Sequence, residues 1–302
     1  MEKKTRRNFV KALGASVGAA SVLGGGSLLS SCSRVEEVTG DKITLLTSSG
    51  ELVVVDRSQL KPAEVPSLTE NQLRGRKGLP GRSWVMVIDL SKCRNARECM
   101  KACQSHHQLR PEQHHINVLQ MQDSDDTAPY FMPKPCLHCD NPPCTKVCPV
   151  NATFKREDGI VLIDNERCIG CRFCIAACPY SARVFNWKEP RDAEKYEGVT
   201  YNIEANVPQK KGTISKCLFS ADRLREGKLP SCVSACPNGV YWFGDKNEDA
   251  VTNGTTKETV AFSKLVKEGA AYTLMKELGT RPRVFYLPPK DQEASPIAGD
   301  HS

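Results

Sequence analysis

Fifteen cysteines in 302 residues, fourteen of them in four spaced groups, constrain this chain more than any other feature. The third group is Cys168-Ile169-Gly170-Cys171-Arg172-Phe173-Cys174-Ile175-Ala176-Ala177-Cys178-Pro179, a C-x2-C-x2-C-x3-C-P run. The second is the same run with two extra residues before its third cysteine: Cys136, Cys139, Cys144 and Cys148, followed by Pro149. The other two groups are incomplete. Cys93, Cys99 and Cys103 keep the spacing, but Ala96 stands where the second cysteine belongs. Cys217 is followed by Ser220 in that second place, then by Cys232, Cys236 and Pro237. Cys32 lies apart, 61 residues before the next cysteine.

Three chemistries use cysteine at this density. Zinc needs only paired C-x2-C knuckles, and explains neither the third cysteine at x2, the fourth at x3, nor the proline after three of the groups. A disulfide framework suits short secreted scaffolds, not a repeat of this length. The third group is the bacterial ferredoxin pattern, in which three cysteines hold one cubane and the fourth serves a second cluster. By that exchange rule, one 4Fe–4S cluster takes Cys136, Cys139, Cys144 and Cys178. The other takes Cys168, Cys171, Cys174 and Cys148.

Around these groups the chain reads as short strands and short helices. Trp84–Ile88, Gly159–Ile163 and Gly239–Phe243 are β-rich runs, and Glu157-Asp158-Gly159 offers a hairpin turn after Ala152–Phe154. Nearer the start, 42–47 and 51–56 flank Ser48-Ser49-Gly50 as a β-hairpin, and 57–82 reads as a proline- and glycine-bearing linker. Its cations Arg74, Arg76, Lys77 and Arg82 read as a solvated face, as do His106, His107, His114 and His115 further on. His138, between two cluster ligands, reads as a donor to a cluster sulfur. Ala261 to Leu278 reads as a helix ended by Gly279, with 291–302 disordered.

The first 31 residues read as an address. Thr5-Arg6-Arg7-Asn8-Phe9-Val10-Lys11 precedes a weakly apolar stretch and resembles the twin-arginine export signal, with Arg6 and Arg7 as its pair. Leu29-Ser30-Ser31-Cys32 resembles a lipoprotein box, which makes Cys32 the lipidated mature terminus. Export of an already folded chain lets clusters be built in a reducing compartment and carried out buried. Residues 1–31 carry a net +4, so the chain's net charge of +7 falls to +3 without them, too near neutrality for a nucleic-acid binder. No apolar run after residue 32 approaches the ~20 residues of a membrane helix. The expected location is the periplasmic side of the membrane, held by the lipid.

The cysteine groups, with Lys216-Cys217, the 222–230 segment and the 278–287 tail, resemble the four-cluster electron-transfer (beta) subunits of the molybdopterin oxidoreductases, of the polysulfide and dimethyl sulfoxide reductase type. The resemblance covers about 83–290. It implies an α+β fold of two ferredoxin-like ββα-repeat units, the central one (131–212) inserted in an outer one (83–130 plus 213–260). A signal peptide (1–31), a hairpin and linker (32–82) and a helical and extended tail (261–302) complete the domains. Carried over residue by residue, the exchange leaves Cys93, Cys99 and Cys236 for one outer site, read as 3Fe–4S. Cys217, Cys232 and Cys103 remain for the other, 3Fe–4S or 4Fe–4S with Ser220 as a ligand. The implied partners are a molybdopterin catalytic subunit and a quinone-reactive membrane subunit of the polysulfide reductase C type, with no nucleic acid. No nucleotide loop and no nucleophile–base pair appears, so the chain reads as an electron carrier rather than a catalyst. Two other readings stand beside it: an enzyme binding substrate at an open iron, and an assembly or structural protein with two clusters.

Overall fold

The computed structural model describes residues 42–46, 51–59, 68–124 and 127–290. The export signal, Cys32, the 47–50 turn and the 291–302 tail lie outside them. The chain divides into a unit up to Pro66 and a unit from Ser67 onward. In the first, strands β1 (Lys42–Leu46) and β2 (Leu52–Asp56) pair antiparallel, Lys42 opposite Asp56 and Leu46 opposite Leu52, the expected hairpin.

The second unit contains helices α1 (Glu70–Lys77), α2 (Glu98–His106), α3 (Pro143–Lys146), α4 (Phe173–Ala176), α5 (Ala221–Arg225), α6 (Ser231–Ala235) and α7 (Phe262–Glu268). Its strands are β3 (Trp84–Asp89), β4 (Asn117–Met121), β5 (Tyr130–Lys134), β6 (Thr153–Lys155), β7 (Val161–Ile163), β8 (Arg183–Phe185), β9 (Ile214–Lys216), β10 (Tyr241–Asp245), β11 (Ala250–Asn253), β12 (Thr259–Ala261) and β13 (Val284–Leu287). No helix among the described residues is long and apolar enough to cross a membrane.

One five-stranded sheet runs β12-β11-β10-β3-β13, antiparallel except for β13, which lies parallel to β3. Strand β3 is an unbroken apolar run because it is buried on both faces. Alternate residues go opposite ways. Met86, Ile88, Tyr241, Phe243, Val284 and Tyr286 enter the large core with the cysteine groups. Val85, Val87, Trp242 and Leu287 pack with Phe262 of α7 on the other side. The rest of the sheet content is three antiparallel hairpins, β4-β5, β6-β7 and β8-β9. Helices α3 and α4 pack together, as do α2 and α6.

Two expectations are corrected here. Part of 57–82 is helix α1, not linker. Thr69 and Gln72 form a capping box at its start: Thr69 Oγ1 accepts from Gln72 N, and Gln72 Oε1 accepts from Thr69 N. Two of the segment's four cations are engaged, while Arg74 and Lys77 are exposed: Arg76 donates to the Asn151 carbonyl at 3.0 Å and lies over the Phe154 ring, and Arg82, beyond the helix, pairs with Asp245 and Glu248. The helix fits closely, because a Cβ on Gly75 would sit 2.1 Å from Ile203. The second correction is the tail. Helix α7 stops at Gly269, not Gly279. Leu287 of β13 packs so closely there that a Cβ on Gly269 would meet it at 2.7 Å. The chain then turns back, and Tyr272 bridges Tyr286.

Candidate functional site

Each cysteine group opens on the same backbone twist. The second residue after the first cysteine has positive φ in all four: Asn95, His138, Gly170 and Phe219, from 42° to 71°. For His138 and Phe219 such a conformation is costly and persists only where the surroundings impose it. It turns successive N–H groups toward one point, a cradle for an anionic group. The incomplete groups keep this loop, although Ala96 and Ser220 have replaced the cysteine that follows it.

The loops bring the cysteines together in the predicted sets. One small cavity is lined by Cys136, Cys139, Cys144 and Cys178, with Pro142, Pro143 and Pro179 around them. A second is lined by Cys148, Cys168, Cys171 and Cys174. In both, the last cysteine of one group crosses to the other group's loop. A third is lined by Cys93, Cys99 and Cys236, with Ala96 at its rim. The remaining thiols, Cys103, Cys217 and Cys232, share an electrostatic neighbourhood: beyond burial, Cys217 raises the pKa of Cys103, and both raise that of Cys232. Ser220 is buried beside them, and its Oγ accepts the Ser231 N–H at 3.2 Å.

The described cysteines are free thiols, and burial pushes most of them up: Cys139 to about 12 and Cys217 to about 11. Buried thiols in sets of three and four ionise only against a compensating cation. The donor set and the cavities therefore fit iron–sulfur clusters.

The four sets form a row. Arg183, buried and held by Thr153 Oγ1 at 3.1 Å, acts electrostatically on both Cys144 and Cys174 and so links the two central sets. Cys136 acts in the same way on Cys217, linking the next set. Cys99 acts on both Cys103 and Cys232, joining the last. One end of the row is at the surface through Cys171, the other through Ala96. Lys216, fully buried, donates to the Cys217 carbonyl at 2.5 Å and acts on both Cys144 and Cys217, a second cation between neighbouring sets. His138 stacks on Phe219 with ring centroids 3.8 Å apart. Its Nδ1 accepts the Val161 N–H at 3.0 Å, which places the proton on Nε2. That Nε2–H is buried with no partner among the described residues, and burial together with Lys216, Arg283, Arg183 and Arg156 keeps the ring neutral. It is an unsatisfied donor two residues from Cys136 and next to Cys139, which a cluster sulfide would satisfy.

Sequence reasoning missed Arg183 and named Lys216 only within the resemblance, without a role, because a lone cation in a three-residue strand reads as exposed. It also placed the 106–115 histidines in solvent. His107 and His115 are instead 2% and 4% exposed, and burial is the main cause that lowers the His107 pKa to about 4. His106 pairs with Asp222 at 2.9 Å.

Comparisons with known proteins agree with this geometry. Residues 127–199 and 167–240 each match a 4Fe-4S dicluster domain. The selenate reductase B subunit of Mesobacillus selenatarsenatis is 37% identical over 255 residues, 80% of each chain. The tetrathionate reductase B subunit of Salmonella typhimurium is 33% identical, over 85% of this chain and 90% of its own. A putative dimethyl sulfoxide reductase iron-sulfur B subunit of Halobacterium salinarum is 38% identical, over 67% and 78%. The chain thus belongs to the iron–sulfur B subunits of the molybdopterin oxidoreductases, which carry electrons within a reductase complex and are not its catalytic chain.

Proposed function

We propose that this chain relays electrons along the row of thiol sets, from the end at Cys171 to the end at Ala96 or the reverse, between a molybdopterin catalytic subunit and a quinone-reactive membrane subunit of the polysulfide reductase C type. The single observation that carries this reading is the row itself, open to the surface at both ends. In this reading Cys136, Cys139, Cys144 and Cys178 hold one 4Fe–4S cluster, and Cys168, Cys171, Cys174 and Cys148 another. Cys93, Cys99 and Cys236 hold a 3Fe–4S cluster, because no thiolate at Ala96 retains the fourth iron. Cys103, Cys217 and Cys232, with Ser220, make a fourth site. The two ferredoxin-like units are nested, the central within the outer. Clusters supply one-electron carriers, and buried cations between them set how readily each is reduced.

The reading extends to placement. The Arg6-Arg7 signal exports the folded chain and Cys32 anchors it by lipid on the periplasmic side. Anaerobic purification with iron quantification and electron paramagnetic resonance tests the cluster content. Signals of two interacting 4Fe–4S clusters on reduction and of 3Fe–4S on oxidation are expected. Iron near eight per chain with no 3Fe–4S signal would reduce the relay to its central pair. Turnover of a small substrate by the isolated chain would overturn it.

A further inference from the structure

Cys103 has a second set of neighbours besides Cys217 and Cys232. One ring nitrogen of His107, one of His115 and the Cys103 sulfur all lie within 4.8 Å of one another, and all three residues are buried. Cys103 is on α2, and His107 caps that helix four residues on, so both lie on one face. His115 comes from the chain before β4, held there by a hydrogen bond from its Nε2 to Ser215 Oγ of β9.

The hydrogen bonds leave one nitrogen free on each ring. His107 Nδ1 lies 2.8 Å from the Ala205 carbonyl, so Nδ1 carries the proton and Nε2 keeps its lone pair. A carbonyl behind the ring is what metal-bound imidazoles characteristically have. His115 Nδ1 is buried without a partner among the described residues. A buried ring nitrogen without a partner is a donor or acceptor that a ligand would satisfy.

The spacing discriminates between a cluster and a single ion. Sulfur at about 2.3 Å and nitrogen at about 2.1 Å from one tetrahedral zinc-class ion stand roughly 3.4–3.7 Å apart. Donor atoms that lie within 4.8 Å of one another close on such an ion with side-chain movements on the order of an ångström. Ligands to two different irons of a cubane have no need to approach so closely.

We propose that Cys103, His107 and His115 bind one divalent transition-metal ion of zinc's class, in competition with the fourth cluster for Cys103. One thiolate and two imidazoles are a donor set such an ion takes readily. The proposal revises only the fourth site of the relay reading and leaves the other three sets as they stand.

The test uses the full-length holoprotein, purified anaerobically from cells supplied with zinc, with total metal analysis and X-ray absorption at the zinc edge. The expected result is one zinc per chain, in a shell of one sulfur and two imidazole nitrogens, and one 3Fe–4S signal rather than two. His107→Ala with His115→Ala should remove that zinc and leave the central-cluster spectra unchanged. Should the double variant fail to fold, His115→Gln alone should weaken zinc retention at least tenfold. Wild-type protein with sub-stoichiometric zinc, a sulfur-only zinc shell, or zinc that survives both histidine changes overturns the proposal. Loss of the central-cluster signals in the wild type would instead count against the relay reading, so the two failures are distinguishable.

Discussion

Arg183→Gln removes a full positive charge from between the two central thiol sets. Arg183 is 7% exposed, bonded to Thr153 and within electrostatic reach of Cys144 and Cys174, so solvent screens it little. A unit charge roughly 6 Å from a reducible centre, at an effective dielectric near 20, is worth about 3 kcal/mol. With about 1.4 kcal/mol and about 59 mV per tenfold for one electron, that is on the order of 100 mV. Reduction adds negative charge, which the guanidinium favours, so its loss should lower the potentials of both central clusters together. Arg183→Lys keeps the charge and should recover most of the shift. The assay is an anaerobic redox titration followed by electron paramagnetic resonance on all three proteins. Unchanged potentials in Arg183→Gln would refute the electrostatic argument. Equal shifts in the Gln and Lys variants would do so too, by assigning the effect to hydrogen bonding alone.

Ala96→Cys should complete the cavity of Cys93, Cys99 and Cys236, removing one 3Fe–4S signal from the oxidised spectrum and lowering that site's potential, as spectroscopy before and after iron reconstitution would show. Glu204→Gln should destabilise the fold by about 3–5 kcal/mol, because Glu204 answers the buried Arg156 at 2.7 Å and Arg225 at 2.6 Å; a calorimetric melting temperature equal to wild type would contradict this. Arg6→Lys with Arg7→Lys should leave cluster-loaded protein in the cytoplasm, as fractionation would reveal. Mass spectrometry of the exported chain should find a lipid-modified Cys32 as its first residue.

The central thiol sets were legible because cubane ligation fixes both spacing and exchange, and they gather around two cavities; Cys93, Cys99 and Cys236, which only the resemblance implied, line a third. The strands flanking them were legible too, since β3 and β10 are apolar runs bounded by turn residues. The outer sheet was not. Nothing local in 284–287 says that it lies parallel to 84–89, a partner some two hundred positions earlier. Helix α1 was missed because its sequence, Glu-Asn-Gln-Leu-Arg-Gly-Arg-Lys, lacks an apolar stripe and is secured by its cap and by contacts to Asp164, Asn151 and Phe154. The buried histidines were misread for a related reason. A pair of polar rings in a loop looks solvated until another element, here β9 with Ser215, closes over it.

The late arrival of β13 has a consequence for how the molecule is made. Synthesis runs from the amino end, so the hairpins around the central thiols are complete while the ribosome still holds the last hundred residues. The outer sheet cannot close then. Its central strand waits for 241–245 on one side and 284–287 on the other. The set Cys93, Cys99 and Cys236 is split across that same gap, and so is Cys103 from Cys217 and Cys232. Arg283 then fastens the finished tail, donating to Asp140 beside the second cysteine loop and to Ser83 and Trp84 at the entry to β3. The thiols of the central pair are thereby complete by residue 178 and those of the other two sets only by residue 236, and a chain terminated before residue 284 would lack the strand that flanks β3.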